Sequence, residues 1–210
     1  MSHLYIIRHA ETQNDKQGLI CTESDAKLTH QGIDEAKILG QVFSSYMLSA
    51  IYSSRSSHCL ETAQIIADTI GQKVQINDAF DERKMGAPAG MQAAEFEAIY
   101  MDELTARSRL GFYERLFHKI TDSAESDIDL AERVLPALHK ISAENLNKDL
   151  LIVTHSNILK LLMVLIGKYD EDSIEIERGA VLEMKGDGKQ LTILSNQGIT
   201  GHRASVAEEY

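Results

Sequence analysis

The 210-residue chain predicts an α/β fold, with a mostly parallel sheet flanked by helices on both faces, and three observations carry that expectation. Two short, nearly continuous apolar runs, His3-Leu4-Tyr5-Ile6-Ile7 and Leu150-Leu151-Ile152-Val153, have the pattern of strands buried on both faces. Each ends abruptly in a polar residue followed by histidine, Arg8-His9 and Thr154-His155. Helical and strand-like periodicities alternate between them, the grammar of βαβ units.

In chain order, strand 3–7 is followed by Leu28-Thr29-His30-Gln31-Gly32, which opens a helical pattern running through Leu39. Ala50-Ile51-Tyr52 reads as a strand, and Glu61 to Ile70 as a helix closed by Gly71. Val74-Gln75-Ile76 is strand-like. Met91 to Ile120 is mostly helical by periodicity yet carries Arg107, Arg109, Arg115, His118 and Lys119, so about 87–125 is expected to be a short helical insertion folded over the sheet. After the second strand, Ile158, Leu159, Leu162, Met163 and Ile166 repeat at helical spacing. Val181 to Met184, an Asp187-Gly188 turn and Leu191 to Leu194 predict a hairpin that adds an antiparallel edge strand.

Nothing marks a linker. With two prolines, no low-complexity stretch and no internal repeat, residues 1–210 are expected to form a single domain. The formal charge of −11, with no basic block, gives little support to a nucleic-acid or acidic-membrane surface. Cys21 and Cys59 are far apart, without a second Cys or a His at metal-ligand spacing. That fits a reducing compartment and neither a disulfide framework nor a zinc site, and makes both thiols core or pocket-wall residues. The longest apolar run, Leu159 to Gly167, is too short to span a bilayer, so a cytoplasmic location is the expectation. An oligomer is compatible with the composition.

In an open parallel sheet, ligands bind outside the carboxyl ends of the strands, where both strand-end histidines fall. A neutral imidazole is nucleophilic near pH 7, and the phosphoramidate it forms is labile enough to be passed on. The transferring group spreads negative charge over its oxygens and calls for fixed positive charge around it, which Arg8 and a second imidazole at His155 can supply. A leaving alkoxide needs a proton, and Glu82 in Phe80-Asp81-Glu82-Arg83 is the best-placed carboxyl. Taken alone, Glu82 reads as a solvated residue balancing Arg83 and Lys84.

Arg8-His9-Ala10-Glu11-Thr12 resembles the Arg-His-Gly/Ala-Glu-Thr signature of the histidine phosphatase superfamily, which includes the cofactor-dependent phosphoglycerate mutases. In the same register, Leu28-Thr29 and Gly32 are similar to that family's Leu-Thr-x-x-Gly, and Ser53-Ser54 with Thr62-Ala63 to its second phosphate-binding segment. Glu82, Gly86 and Gly90 match its Glu-x-x-x-Gly-x-x-x-Gly, and His155 in Val153-Thr154-His155-Ser156-Asn157 its second catalytic histidine. The resemblance implies a phosphoglycerate-mutase-like fold and a phosphohistidine on His9. It also implies phosphate held by Arg8 and His155, and Glu82 as proton donor and acceptor, with no metal and no organic cofactor.

The chain departs from the family at its phosphate grip. Asp15 stands where the family usually has asparagine, with Asn14 one place early; a carboxylate there repels phosphate unless it turns away or is protonated, so a shifted loop presenting Asn14 is expected. His58 stands at the second arginine, either binding phosphate as an imidazolium or yielding that role to Arg55. Ser156 replaces a glycine after the second histidine, and Ala89 a glutamate before Gly90. A mutase needs an enclosing insertion rich in placed basic groups, and this insertion is short. The expected activity is therefore hydrolysis of small phosphorylated metabolites, with Arg83, Lys84, Arg107 and Arg109 as candidates for reading the rest of the substrate. A mutase, or a weakly active or non-catalytic phospholigand-binding domain, is the alternative.

Overall fold

The computed structural model describes residues 1–20 and 26–204; Cys21 lies outside them. Six strands, β1 (Ser2–Arg8), β2 (Leu48–Ser53), β3 (Val74–Ile76), β4 (Asp149–Thr154), β5 (Glu175–Gly186) and β6 (Leu191–Thr200), form one sheet in the order β3-β2-β4-β1-β5-β6. The first four run parallel to their neighbours, β5 runs antiparallel to β1, and β6 antiparallel to β5. The α/β expectation therefore holds, with a larger antiparallel part than a single edge strand.

Alternation along the central strands sends side chains to two separate cores, each covered by helices. Leu4, Ile6, Leu150, Ile152, Leu182 and Met184 meet Leu130, Val134 and Leu138 of α6 (Asp127–Glu144) and Leu159 and Leu162 of α7 (Ser156–Leu165). Tyr5, Ile7, Ile51, Leu151 and Val153 face the other way, onto Phe43 of α2 (His30–Phe43) and Cys59, Ala63 and Ile66 of α3 (Ser57–Ile70). Leu150 through Val153 are fully buried, which is why the run shows no polar alternation. A short helix, α1 (Gln13–Gln17), follows β1.

Two boundaries differ from the sequence reading. Helix α3 begins at Ser57, a turn before the predicted start at Glu61, and so carries His58 in its first turn. The hairpin extends well beyond 181–184 and 191–194, because Glu175, Glu177 and Ser195 lie on strand segments that face solvent and lack an apolar signature. Its turn is a four-residue loop in which the Asp187 carboxylate accepts from the Lys189 and Gln190 amides, 2.9 Å each.

The insertion contains α4 (Ala93–Ser108) and α5 (Phe112–Phe117), which bury little apolar surface: Phe96 in the first and Leu116 in the second. Ion pairs tie it down instead. Arg107 reaches Glu171 at 2.7 Å and Asp127 at 3.1 Å, Arg115 reaches Asp172 at 3.1 Å, and Lys119 reaches Asp129 at 2.7 Å. Among the described residues, no helix is long and apolar enough to cross a membrane.

Candidate active site

The register of the two central strands builds the site. Arg8 pairs with Thr154, so β1 and β4 end together and the His9 amide donates to the Thr154 carbonyl at 2.9 Å. β2 stops at the same edge, with the Ser54 amide on the Val153 carbonyl at 3.1 Å. His9, His155 and, from α3, His58 converge there with ring centroids 4.4 to 5.4 Å apart. They line a cavity of about 190 Å³ that also takes in Arg8, Asn14, Asp15, Glu82 and Ser156.

Each group is held by a specific neighbour. His9 Nδ1 lies 2.8 Å from the Ala10 carbonyl, which fixes the proton there and leaves Nε2 as the basic nitrogen. His155 Nε2 lies 2.9 Å from Ser54 Oγ and 3.3 Å from Ser56 Oγ, while its Nδ1 lies 3.8 Å from a Glu82 carboxylate oxygen. Arg8 donates to the Ile176 carbonyl at 2.8 Å and to Asp15 at 2.9 Å, and its Nε is buried without a hydrogen-bond partner. Ser156 opens the ten-residue helix α7 and lines the cavity.

Burial sets the protonation states. It lowers His9 to about 4, helped by the neighbouring His155, and His58 to about 3, helped by His9. His155 is likewise pushed well below its ordinary value by burial and by His58. All three are neutral imidazoles at pH 7, the state in which a nitrogen can attack phosphorus. The Cys59 thiol, 3.5 Å from His155 Nε2, is pushed up to about 12 by burial and is no nucleophile.

The altered grip differs from the expectation. Asp15 neither turns away nor is protonated: one oxygen accepts from the Thr12 amide and hydroxyl in a capping box, and the other pairs with Arg8. Burial alone would raise its carboxyl, but the Thr12 hydrogen bonds and the nearby His9 and Arg8 outweigh burial and hold it below the ordinary value. Asn14 lines the cavity too. His58 sits in the cavity, where burial and the neighbouring His9 lower it to about 3, which goes against the imidazolium of the two alternatives. Arg55 is outside it, 60% exposed and paired with Asp78 and Asp81 on the wall of an adjoining cleft of about 690 Å³.

Several positioning residues escaped the sequence reading. Arg133 on α6 donates to the carbonyls of Ala79, Asp81 and Glu82 at 2.8 to 2.9 Å and pairs with Glu125, which freezes the loop that presents Glu82. No local motif flags it; only its one-helix spacing from apolar neighbours hints that it faces inward. Thr154 Oγ1 donates to the Phe80 carbonyl at 2.7 Å and ties the same loop to β4. Glu11 of the signature serves structure, accepting from Thr29 Oγ1 at 2.7 Å and pairing with Arg178. Gly32 explains its own place in the Leu-Thr-x-x-Gly motif, since a Cβ there would lie 2.1 Å from the Glu11 carbonyl oxygen. Gly86, at φ +65, likewise leaves no room for a Cβ against Ser123.

The chain is similar in sequence and fold to several known proteins. A 2,3-bisphosphoglycerate-dependent phosphoglycerate mutase from Cytophaga hutchinsonii is 29% identical over 178 residues, covering 83% of this chain and 81% of that protein. The solved structure of Bacillus stearothermophilus YhfR superposes with a TM-score of 0.78 at 26% identity, covering 92% of this chain and 95% of the other. A phosphoserine phosphatase from Entamoeba histolytica, solved with phosphoserine, superposes at 0.79 with 20% identity over 93% of this chain and 96% of that one. The family model of the histidine phosphatase superfamily (branch 1) matches residues 4–197, and the chain belongs to that superfamily.

Proposed function

We propose that the protein hydrolyses small phosphomonoesters through a phosphohistidine on His9. The observation that carries this is the His9 ring itself: buried, neutral at physiological pH, and fixed through Nδ1 on a backbone carbonyl so that Nε2 is the basic nitrogen. In the first half-reaction Nε2 bonds to phosphorus as the ester P–O bond breaks, and the leaving alkoxide takes a proton from Glu82. In the second, Glu82 accepts a proton from water as the water oxygen displaces the imidazole. Arg8 and His155 line the cavity beside the transferred group, where the guanidinium charge favours its oxygens.

Hydrolysis is favoured over mutase chemistry by what the basic side chains are doing. Arg83 and Arg107 are committed to Asp127, Arg107 also to Glu171, and Arg115 to Asp172. Arg107 and Arg115 hold the insertion in place, and none of the three is arrayed to grip a carboxylated substrate in two orientations. The adjoining cleft, lined by Arg55, Ser56, Lys84 and Glu82, gives a substrate's body and an incoming water a route to the Glu82–His155 wall. The phosphoserine phosphatase among the structural neighbours is compatible with this reading. A cytoplasmic setting suits the free, buried Cys59.

The test is a panel of phosphoserine, p-nitrophenyl phosphate and 3-phosphoglycerate with chelator present, following both phosphate release and 2-phosphoglycerate formation. Phosphate release that persists without metal and disappears in His9→Ala is expected. Undiminished release in that variant, or 2-phosphoglycerate without phosphate, would overturn the proposal.

A further inference from the structure

The two departures at the phosphate grip change what the cavity can bind. With His58 in place of an arginine, three imidazoles face one another, and a nitrogen from each of His9, His58 and His155 lies within 4.8 Å of the others. All three residues are buried, His58 at 5% exposure, and His58 Nδ1 has no hydrogen-bond partner. The carboxylates of Asp15 and Glu82 line the same cavity, and the second departure, asparagine to Asp15, places a carboxylate there that balances the charge of the adjacent Arg8 guanidinium. An arginine and an asparagine make an anion site. A third histidine and a carboxylate make a site that also accepts a cation.

We infer that His9, His58 and His155 form a three-histidine site for a divalent transition metal ion of the zinc type, which competes with the phosphoryl group for the His9 nitrogen. Zinc takes imidazole nitrogens at about 2.0–2.1 Å, which in a tetrahedron puts them roughly 3.3 Å apart. From 4.8 Å, two nitrogens close that gap by moving roughly 0.7 Å each, within reach of ring rotation. The Ala10 carbonyl on His9 Nδ1 is the kind of outer partner that orients a metal-binding imidazole. Three protein ligands leave the fourth position to water, phosphate or a carboxylate from the cavity wall. A bound ion occupies the nitrogen that must attack phosphorus, so the metal switches the proposed hydrolysis off. Metal binding itself does not depend on that reading.

The experiment uses the full chain after chelator treatment. Zn²⁺ is titrated calorimetrically, and Co²⁺ is added to the same protein for its visible spectrum. One equivalent of Zn²⁺ is expected to bind, the Co²⁺ spectrum to show the intense bands of a four-coordinate ion, and His58→Gln or His58→Arg to weaken Zn²⁺ at least tenfold with an unchanged circular dichroism spectrum. Equal affinity in the folded His58 variants would overturn the inference. So would a weak six-coordinate Co²⁺ spectrum with the parent protein, a result that needs no variant to fold. Activity is read separately: Zn²⁺ is expected to suppress phosphate release and chelator to restore it. A protein that releases no phosphate but binds the ion at His58 refutes the hydrolytic proposal and leaves this one standing.

Discussion

The cavity around His9 and the arginine-lined ground beside it share Glu82 and His155 as a common wall. On the cavity side, three imidazoles are pressed together and burial strips their charge. On the other, two guanidiniums are each locked to carboxylates, Arg55 to Asp78 and Asp81 and Arg133 to Glu125. The difference separates scaffold from chemistry. A guanidinium locked to carboxylates and carbonyls sets where a loop lies, whereas a neutral imidazole with a basic nitrogen can form a bond. Arg8 stands between the two types, anchored by Asp15 and Ile176 yet lining the cavity.

The comparison breaks most sharply at His9. His9→Ala removes the bond-forming nitrogen and is expected to lower phosphate release by about 10⁴-fold or more, roughly 5.4 kcal/mol of barrier at 1.36 kcal/mol per tenfold. The steady-state rate against phosphoserine checks it. A variant retaining a tenth of the rate would mean that the chemistry lies elsewhere on the wall.

Protonation gives the next largest effect, and its sign follows from burial. Unfolded histidines take up protons as pH falls through about 6.5, while folded His9 and His58 resist until about 4 and about 3. The unfolded state then binds more protons, so stability falls with pH below 6.5. Between pH 7 and pH 5 the loss is about 2 kcal/mol for each of these two histidines. Urea unfolding at the two pH values measures it, and because the buried His155 contributes in the same sense, His58→Gln is expected to remove about a third of the whole loss. A pH-independent midpoint would show that the trio is already charged in the folded protein.

Among the paired arginines that serve as scaffold, the corresponding break is Asp127→Ala. Two guanidiniums lose their shared, buried acceptor, which costs about 3 kcal/mol and loosens the insertion. Thermal unfolding reports the loss, and phosphate release by the folded fraction is expected to change far less than in His9→Ala.

Much of this site was legible in the sequence because it is tied to the sheet. Arg8-His9 and Thr154-His155 announce themselves as polar residues ending apolar runs, and in-register pairing of β1 with β4 brings them together. Glu82 was weakly legible, since its placement depends on Arg133, which is 51 residues away. His58 was legible as an altered residue, while its lost charge was not. Burial and the proximity of His9 are three-dimensional facts that no spacing encodes. Asp15 misled for the same reason: the local pattern shows a carboxylate where phosphate is expected, and only the fold supplies the Arg8 and Thr12 groups that hold it. The hairpin was underestimated because a strand with a wet face hides its period among charged residues.

Arg55 sharpens the comparison with the smallest effect. By sequence distance it competes with His58 for the same phosphate oxygen, but its side chain stands on the cleft wall against Asp78 and Asp81. Exposed ion pairs of this kind contribute about 0.2–1 kcal/mol, so Arg55→Ala is expected to lower stability by no more than that. Its kinetic signature is selective. For a phosphomonoester with a small neutral body the Michaelis constant should stay within twofold, because the phosphoryl group sits in the other cavity. For a substrate whose body carries a carboxylate into the cleft, the constant should rise severalfold while kcat holds, the mark of lost ground-state binding. An equal rise for both substrates would move Arg55 into the phosphate grip and erase the boundary drawn between the two regions.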